Sequence, residues 1–278
     1  MRTTAFNIAI LAVCVIVTCT AQVKLNAQHS AELSKTFDRP LNKIYVIAHR
    51  GVHGHIPENS LPAYQKGIDI GCDFVEIDAR ITKDGKLVSF HNGNLEGYGI
   101  KGSVKDYTLS ELREIDIGRK YGKQWQSTKI PTVDEILQLC KGRIHVYLDV
   151  KTAPLDSLMS HLKTFGMENQ VVWYIPFSHF DDIPNLDFNS FFRNSFLMPD
   201  PGDSQSIDSV FARTQVSVIA SDVDHIDAEY VQKVHSHHAL IFVDDKLGTI
   251  EEWKKMIALG VDGIQTDRPQ ELITFLKE

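Results

Sequence analysis

Short apolar runs alternate with helical patterns from Lys43 to the end of the chain. Most of the runs are continuously apolar, which is typical of parallel strands that are covered on both faces. They predict eight strands, at Ile44–His49, Phe74–Ala79, Ile144–Val150, Val171–Ile175, Phe191–Leu197, Val216–Ser221, Leu240–Val243 and Gly263–Thr266.

The segments between these strands carry the signals of helix ends. Asn59 precedes a helical pattern that runs to Ile70, and we predict it as the N-cap residue. Thr132 is followed three residues later by Glu135, which forms a capping box for a helix ending at Leu139. The other predicted helices are Leu155–Phe165, Asp227–His235, Ile250–Leu259 and Pro269–Leu276, the last opening with proline in its first turn.

Eight strands in regular alternation with helices predict the α/β class and a (β/α)8 TIM barrel. An open, doubly wound sheet is the alternative, but no glycine-rich phosphate loop follows the first strand. The region Thr82–Ile130 breaks the alternation, although it contains a strand-like piece at Leu87–His91. We predict that this region is an insertion after the second strand.

The N-terminal residues form a separate pattern. Ala5–Thr18 is almost wholly apolar, follows Arg2, and is shorter than the roughly 20 residues that a membrane-spanning helix needs. These features predict a secretory signal peptide at residues 1–27, a single domain at residues 28–278, and a periplasmic or secreted protein. One alternative is a lipoprotein anchored to the membrane through Cys19, and another is a buried N-terminal helix.

Composition and charge narrow the classes of partner. The chain has 278 residues, of which 43% are hydrophobic, and its formal net charge is −7. A surplus of acids argues against a nucleic-acid partner, because phosphate backbones are bound by lysine and arginine. No feature of the sequence indicates a protein partner. Cys72 and Cys140 are predicted as buried thiols, with a disulfide between them as the alternative.

Polar residues stand at the ends of several predicted strands. They are His49 and Arg50 at the first strand, Glu76 and Asp78 in the second, Asp149 and Lys151 at the third, and Asp267 after the eighth. In a barrel these C-terminal ends converge on one mouth, where active sites are built. We therefore expect the functional site at this end of the fold.

Three of these acids are candidate metal ligands. Glu76 and Asp78 are two residues apart on one strand, so their side chains face the same way. Such neighbouring carboxylates repel each other unless a cation offsets their charge, and Asp149 on the adjacent strand supplies a third oxygen. Oxygen ligands favour Mg²⁺ or Ca²⁺. Salt bridges from these acids to nearby arginine or lysine side chains are the alternative.

His49 and His91 are the candidates for acid–base chemistry, because imidazole titrates near neutral pH. His53 and His55, in the glycine-rich loop after the first strand, are competitors for that role. Arg50 and Lys151 offer positive charge to an anionic substrate. Two histidines, an acidic metal site and fixed cations suit the cleavage of a phosphate ester.

The chain resembles the glycerophosphodiester phosphodiesterase family, a branch of the phosphatidylinositol-phospholipase-C-like barrels. The motifs that carry the resemblance span nearly the whole predicted domain in family order. They are His49-Arg50-Gly51, Pro57-Glu58-Asn59-Ser60-Leu61, Gly71-Cys72-Asp73-Phe74-Val75-Glu76-Ile77-Asp78, Thr82-Lys83-Asp84-Gly85, Leu87-Val88-Ser89-Phe90-His91, Ile130-Pro131-Thr132-Val133-Asp134-Glu135, Asp149-Val150-Lys151 and Asp262-Gly263-Ile264-Gln265-Thr266-Asp267-Arg268-Pro269.

The resemblance implies a (β/α)8 barrel that hydrolyses small glycerophosphodiesters to glycerol 3-phosphate and an alcohol, with one divalent cation. It implies His49 and His91 as the acid–base pair, Glu76 and Asp78 as metal ligands, Arg50 as a phosphate contact, and Glu58 as a residue that orders the site. Two other functions stay open: a related lyase or phospholipase-D-like enzyme acting on a lipid or polymer, and a non-catalytic exported binding protein.

The sequence departs from the family pattern at three places. Asp149 stands where the family usually has glutamate, and Asn92 follows His91 where aspartate is usual. The seventh barrel strand ends in Val243-Asp244-Asp245-Lys246 in place of a Trp-Thr-x-Asn element. The resemblance places this last segment beside the alcohol of the substrate, which implies an unusual leaving group.

Overall fold

The computed structural model describes residues 43–183 and 185–278. The predicted signal peptide therefore lies outside the described residues. Eight parallel strands of the described chain form a nearly closed barrel in the order β6-β5-β4-β2-β1-β9-β8-β7, with β7 lying beside β6. Their bounds are β1 Tyr45–Ala48, β2 Phe74–Ile81, β4 His145–Val150, β5 Val171–Pro176, β6 Phe196–Asp200, β7 Val218–Asp222, β8 Leu240–Asp244 and β9 Gly263–Thr266. The predicted α/β barrel is confirmed.

Helices cover the outside of the barrel. Their bounds are α1 Leu61–Ile70, α2 Leu109–Leu112, α3 Val133–Cys140, α4 Leu155–Phe165, α5 Phe188–Phe191, α6 Ile207–Arg213, α7 Ala228–Ser236, α8 Ile250–Leu259 and α9 Pro269–Phe275. The capping box predicted for Thr132 and Glu135 is present at α3. None of the helices in the described residues is long and apolar enough to cross a membrane.

Two local predictions are wrong. The fifth barrel strand is Phe196–Asp200, and Phe191 ends the short helix α5, whose N-terminus is capped by Asp187. The aromatic run before the strand packs outside the barrel as a helix and a turn. A short apolar helix and a buried strand have the same apolar pattern, which explains the wrong prediction. The N-cap of α1 is Ser60 and not Asn59, because the Ser60 hydroxyl accepts the backbone N–H of Ala63.

The barrel interior is a packed apolar core with a polar upper layer. Side chains such as Phe74, Val172, Met198 and Phe242 fill the interior. A second and larger apolar layer lies between the outer faces of the strands and the helices. Cys72 and Cys140 are buried and are not joined by a disulfide, which confirms the prediction of two thiols.

The insertion after β2 folds back onto the barrel. Its strand β3, Leu87–Ser89, pairs antiparallel with β2, with Ser89 opposite Ala79 and Leu87 opposite Ile81. A small apolar cluster of its own, including Val88, Leu95 and Leu112, stabilises the rest of the insertion. Because β3 runs antiparallel to β2, the chain that leaves it returns to the barrel mouth, where it places His91, two residues after Ser89.

Candidate active site

A tight turn follows β1 and brings its polar residues over the barrel mouth. Arg50 and Gly51 both have left-handed backbones, with φ of 53° and 77°. A Cβ atom on Gly51 would lie 2.8 Å from the Cβ of Ala63, so only glycine allows α1 to approach this turn. The turn directs the backbone N–H of Arg50 to Glu76 Oε2 at 2.6 Å. Left-handed arginine is strained, and such strain is typical of functional sites.

The three predicted metal-ligand carboxylates meet at the ends of β2 and β4. Asp78 and Asp149 are register partners on adjacent strands, and Glu76 lies two residues before Asp78. One oxygen from each carboxylate lies within 4.8 Å of the others. Burial and the neighbouring charge of Asp78 raise the pKa of Glu76 well above its usual range. Burial also raises the pKa of Asp149 to about 6, although Lys151 opposes the shift.

These carboxylates fit a divalent cation. Asp78 is fully buried, and its Oδ1 atom accepts no hydrogen bond from the described residues. Lys151 Nζ lies 3.3 Å from that oxygen and 2.5 Å from Asp149 Oδ2, so a single ammonium faces three acids. The Lys151 ammonium offsets only part of the negative charge of the three carboxylates. Their clustered oxygens match the ligand set of Mg²⁺ or Ca²⁺. The predicted alternative, salt bridges from these acids to nearby cations, is met only by the contacts of Lys151 with Asp78 and Asp149.

Asn59 holds one of these carboxylates in place. Its amide nitrogen donates to Asp78 Oδ2 at 2.7 Å, and its amide oxygen accepts from the hydroxyls of Tyr64 at 2.8 Å and Ser89 at 2.6 Å. All four side chains are buried. Asn59 is thus a positioning residue for the metal site, a role that its place before a helix did not indicate.

His49 lies across the mouth and is bound by an acid from the last strand. Its Nδ1 atom lies 2.7 Å from Asp267 Oδ1, and His53 Nε2 lies 2.9 Å from the same oxygen. Burial alone lowers the pKa of His49, but the hydrogen bond to Asp267 and the charge of Glu76 outweigh it, and the pKa rises to about 9. His49 therefore carries a proton at neutral pH.

His91 has the opposite electrostatic environment. Burial and the positive charge of Arg50 lower its pKa, although Asp78 opposes the shift. Arg50 Nη2 donates to His91 Nε2 at 2.8 Å, and the other ring nitrogen lies 3.2 Å from Asn92 Oδ1. Arg80 fixes the backbone here by donating to the carbonyl of His91 at 2.6 Å. His91 is therefore neutral, with a lone pair on Nε2.

The predicted site residues all lie at one place. The rings of His49 and His91 are 6.4 Å apart between centroids and nearly perpendicular, beside the three acids. Glu58 accepts from Arg50 Nη1 at 3.2 Å and so orders that side chain. Sequence reasoning missed the contact of Asp267 with His49, although the position of Asp267 just after a barrel strand was a signal for it.

The sequence is similar to those of glycerophosphodiester phosphodiesterases over most of its length. A model of the glycerophosphoryl diester phosphodiesterase family matches residues 49–175. A glycerophosphodiester phosphodiesterase of Caldanaerobacter subterraneus subsp. tengcongensis is 28% identical over 253 residues, which cover 85% of this chain and 99% of that protein. Another, from Bacillus altitudinis, is 26% identical over 256 residues, or 84% of this chain and 98% of that protein.

Solved structures share the fold. A glycerophosphodiester phosphodiesterase of Agrobacterium tumefaciens superimposes with a TM-score of 0.72 at 20% identity, covering 84% of this chain and all of that one. A phosphodiesterase of Oleispira antarctica, solved with the product sn-glycerol-3-phosphate, gives 0.69 at 19% identity, covering 84% of this chain and 97% of that one. With the ordered motifs and the site they form, these likenesses lead to one conclusion: the chain is an enzyme similar in sequence and fold to the glycerophosphodiester phosphodiesterases.

Proposed function

We propose that this enzyme hydrolyses glycerophosphodiesters to glycerol 3-phosphate and an alcohol, with one divalent cation and a pair of histidines. The observation that carries the proposal is the pair itself. Two imidazoles, one with a raised and one with a lowered pKa, lie at one barrel mouth beside three clustered carboxylates. A phosphodiester needs a proton removed from its nucleophile and a proton supplied to its leaving oxygen, and the two rings meet both needs.

Glu76, Asp78 and Asp149 would hold the cation, which is Mg²⁺ or Ca²⁺ because every ligand is a carboxylate oxygen. When bound, the cation supplies positive charge that stabilises the phosphate oxygens in the transition state. Asp149 is one methylene shorter than the glutamate that the family usually has. Lys151 lies between this acid and Asp78 and holds both carboxylates toward the mouth.

The chain's own cations bind the phosphate. Arg50 is the guanidinium that contacts the His91 ring, and an arriving phosphate oxygen takes over the hydrogen bond that Arg50 Nη2 gives to that ring. This exchange frees His91 Nε2 to accept the proton of the nucleophile. His49, held by Asp267, then donates its proton to the leaving alcohol. The assignment of base and acid follows from the lowered pKa of His91 and the raised pKa of His49.

Two nucleophiles are compatible with this arrangement: water, or the neighbouring glycerol hydroxyl by way of a cyclic phosphate. A related lyase or phospholipase-D-like enzyme would use the same residues and release a cyclic phosphate or a lipid product. The products therefore distinguish the proposed hydrolysis from this second candidate. The retained histidines and acids count against a non-catalytic binding protein.

The test is to measure glycerol 3-phosphate release from a panel of glycerophosphodiesters with Mg²⁺, Ca²⁺ or EDTA. We expect release that needs a metal and falls about 10²–10⁴-fold in His49→Ala. Release of a cyclic phosphate in place of glycerol 3-phosphate would identify the lyase. Metal-independent release that His49→Ala leaves unchanged would refute the proposed site.

We also propose that the protein is exported, as a periplasmic or secreted enzyme. The support is the apolar segment Ala5–Thr18 after Arg2, and cleavage after Ala27 is our expectation. N-terminal sequencing of the mature protein from cell fractions tests this. A mature chain that begins with a lipid-modified Cys19 would identify the lipoprotein alternative, and an uncleaved Met1 in the cytoplasm would refute export.

A further inference from the structure

Three of the eight barrel strands end in an aspartate that takes no part in the mechanism above. Asp200, Asp222 and Asp244 are the last residues of β6, β7 and β8. Met198, Ala220 and Phe242, two residues earlier on the same strands, belong to the barrel interior. Since strand residues two apart share a face, the three carboxylates face inward at the mouth. We call these three residues the acidic arc.

The acidic arc has little compensating charge within the described residues. Asp222 lies 3.7 Å from His225, and Asp200 accepts from the Tyr174 hydroxyl at 3.3 Å. The Asp244 carboxylate makes no hydrogen bond or ion pair with the described residues. Burial raises the pKa of Asp244 to about 7, with the charge of His49 opposing the shift and that of Asp222 adding to it. The arc therefore lies within electrostatic range of the catalytic histidine.

A second, independent feature lies beside the acidic arc. Gln265 on β9 is the register partner of Asp244, so the two side chains share the inner face. The Gln265 side chain is only 7% exposed, and its Oε1 atom has no hydrogen-bond partner among the described residues. A buried carbonyl oxygen without a donor is costly, and a ligand that brings an N–H group removes the cost.

Aromatic rings separate the acidic arc from the metal site. Tyr174 is the register partner of Asp149, and its ring centroid lies 5.8 Å from that of Tyr147. Tyr147 is 7% exposed and belongs to the barrel interior. Aromatic faces next to carboxylates attract an alkylammonium group through cation–π and ionic interactions.

We propose that the acidic arc binds the ammonium group of the substrate's alcohol, with Gln265 accepting one of its N–H bonds. The preferred substrates are then glycerophosphodiesters of primary amino alcohols. This inference rests on the proposed hydrolysis, and it names the leaving group. It also assigns a role to Asp244 in the segment Val243-Asp244-Asp245-Lys246, where the sequence departs from the family pattern beside the expected position of the alcohol.

A second metal ion fits the acidic arc less well than an ammonium group. Among the described residues, Glu76, Asp78 and Asp149 each offer an oxygen within 4.8 Å of the other two, whereas the three carboxylates of the acidic arc do not come this close together. Carboxylates this far apart cannot share one small cation at bonding distance. They can surround an ammonium group on an alkyl chain, which needs only charge and hydrogen-bond acceptors.

The experiment compares kcat/KM on three substrates that differ only in the alcohol: glycerophosphoethanolamine, glycerophosphocholine and glycerophosphoglycerol. We expect ethanolamine to exceed neutral glycerol by about tenfold, as for one hydrogen-bonded charge. Choline, which has no N–H, should lie between them. Asp244→Asn should remove most of the preference, and Asp222→Asn, at an exposed carboxylate, should reduce it without disturbing the fold.

Asp245→Asn is the matched control, because Asp245 is adjacent in sequence but accepts from Trp253 Nε1 on the outer side of β8. It should leave the preference unchanged. A preference for the neutral substrate, or equal loss on all three substrates in Asp244→Asn, would overturn the inference while the hydrolysis itself stands. Choline turned over faster than ethanolamine would overturn the assignment of Gln265. No hydrolysis of any substrate by the unaltered enzyme would refute the proposed function first.

Discussion

The Asp267 carboxylate lies 2.7 Å from His49 Nδ1, so the last strand of the barrel controls the protonation of a histidine on the first. The same oxygen also contacts His53 at 2.9 Å. These two hydrogen bonds lower the pKa of Asp267 and keep it ionised. An ionised acid on Nδ1 orients the imidazole with Nε2 toward the mouth and stabilises its protonated form.

Asp267→Asn should therefore shift the basic limb of the pH–rate profile. The proposed role of His49 is proton donation, so activity falls as pH rises through its pKa of about 9. Without the charge of Asp267 that pKa drops, and the basic limb moves toward the ordinary histidine value of 6.5. At pH 8 we expect a loss of about tenfold or more in kcat. A profile with an unchanged basic limb would show that Asp267 does not act through His49.

Asn92→Asp should shift the acidic limb of the pH–rate profile. His91 is the proposed base and must be neutral, so activity rises as pH rises through its pKa, which lies below the usual 6.5. A carboxylate next to His91 Nδ1 stabilises the protonated ring and raises that pKa, by about one unit for an opposite charge at this distance. The acidic limb should move to higher pH with the basic limb unchanged. Movement of the basic limb alone would show that His91 is the acid and His49 the base.

Metal binding should release protons. The pKa of Glu76 is raised well above its usual range and that of Asp149 to about 6, so part of this site is protonated in mildly acidic solution without a cation. Binding of Mg²⁺ or Ca²⁺ requires the carboxylates to ionise. Calorimetry in buffers of different ionisation enthalpy should detect this release. The Kd for the metal should decrease as pH rises from 5 to 7, a range that spans the Asp149 pKa of about 6. A Kd independent of pH in that range would contradict the assignment.

Asn59→Ala should weaken both the fold and the metal site. It leaves the buried Asp78 oxygen without its donor, at a cost of about 1–3 kcal/mol in the free energy of unfolding. A residue that orients a metal ligand typically contributes about 10–100-fold to metal affinity. Ser60→Ala is the control. It removes the cap of α1 and the hydrogen bond from Ser60 to the Pro57 carbonyl, costs about 1–2 kcal/mol, and should leave metal affinity unchanged because Ser60 does not contact the metal ligands. Equal metal affinity in both variants would refute a positioning role for Asn59.

His91→Ala should lower kcat by about 10²–10⁴-fold while metal affinity stays the same. The imidazole hydrogen-bonds to Arg50 and not to the three acids, so its removal leaves the metal ligands in place. Turnover and calorimetric metal binding measured on one preparation separate the two effects. A loss of metal binding equal to the loss of turnover would make His91 a structural residue of the site.

Local sequence patterns were enough to predict the barrel. Continuous apolar runs identify strands that are covered on both faces, and capping signals such as Thr132 with Glu135 locate helix ends, because these signals depend on near neighbours in the chain. The same reasoning brought Glu76, Asp78 and Asp149 together, since parallel strands share one end. It failed at Phe191, where an apolar aromatic segment is a helix outside the barrel, and periodicity cannot separate short apolar elements.

Contacts between distant parts of the chain needed the tertiary structure. Asp267 meets His49 across 218 positions of sequence, and Asn59 binds Asp78 in preference to capping α1, because barrel closure and the left-handed turn before α1 set these distances. The opposite pKa shifts of His49 and His91 also depend on burial and on charges from other strands. The residue types therefore indicated the chemistry of the site, while closure of the barrel decided which side chains share hydrogen bonds and which charges face each other across the mouth.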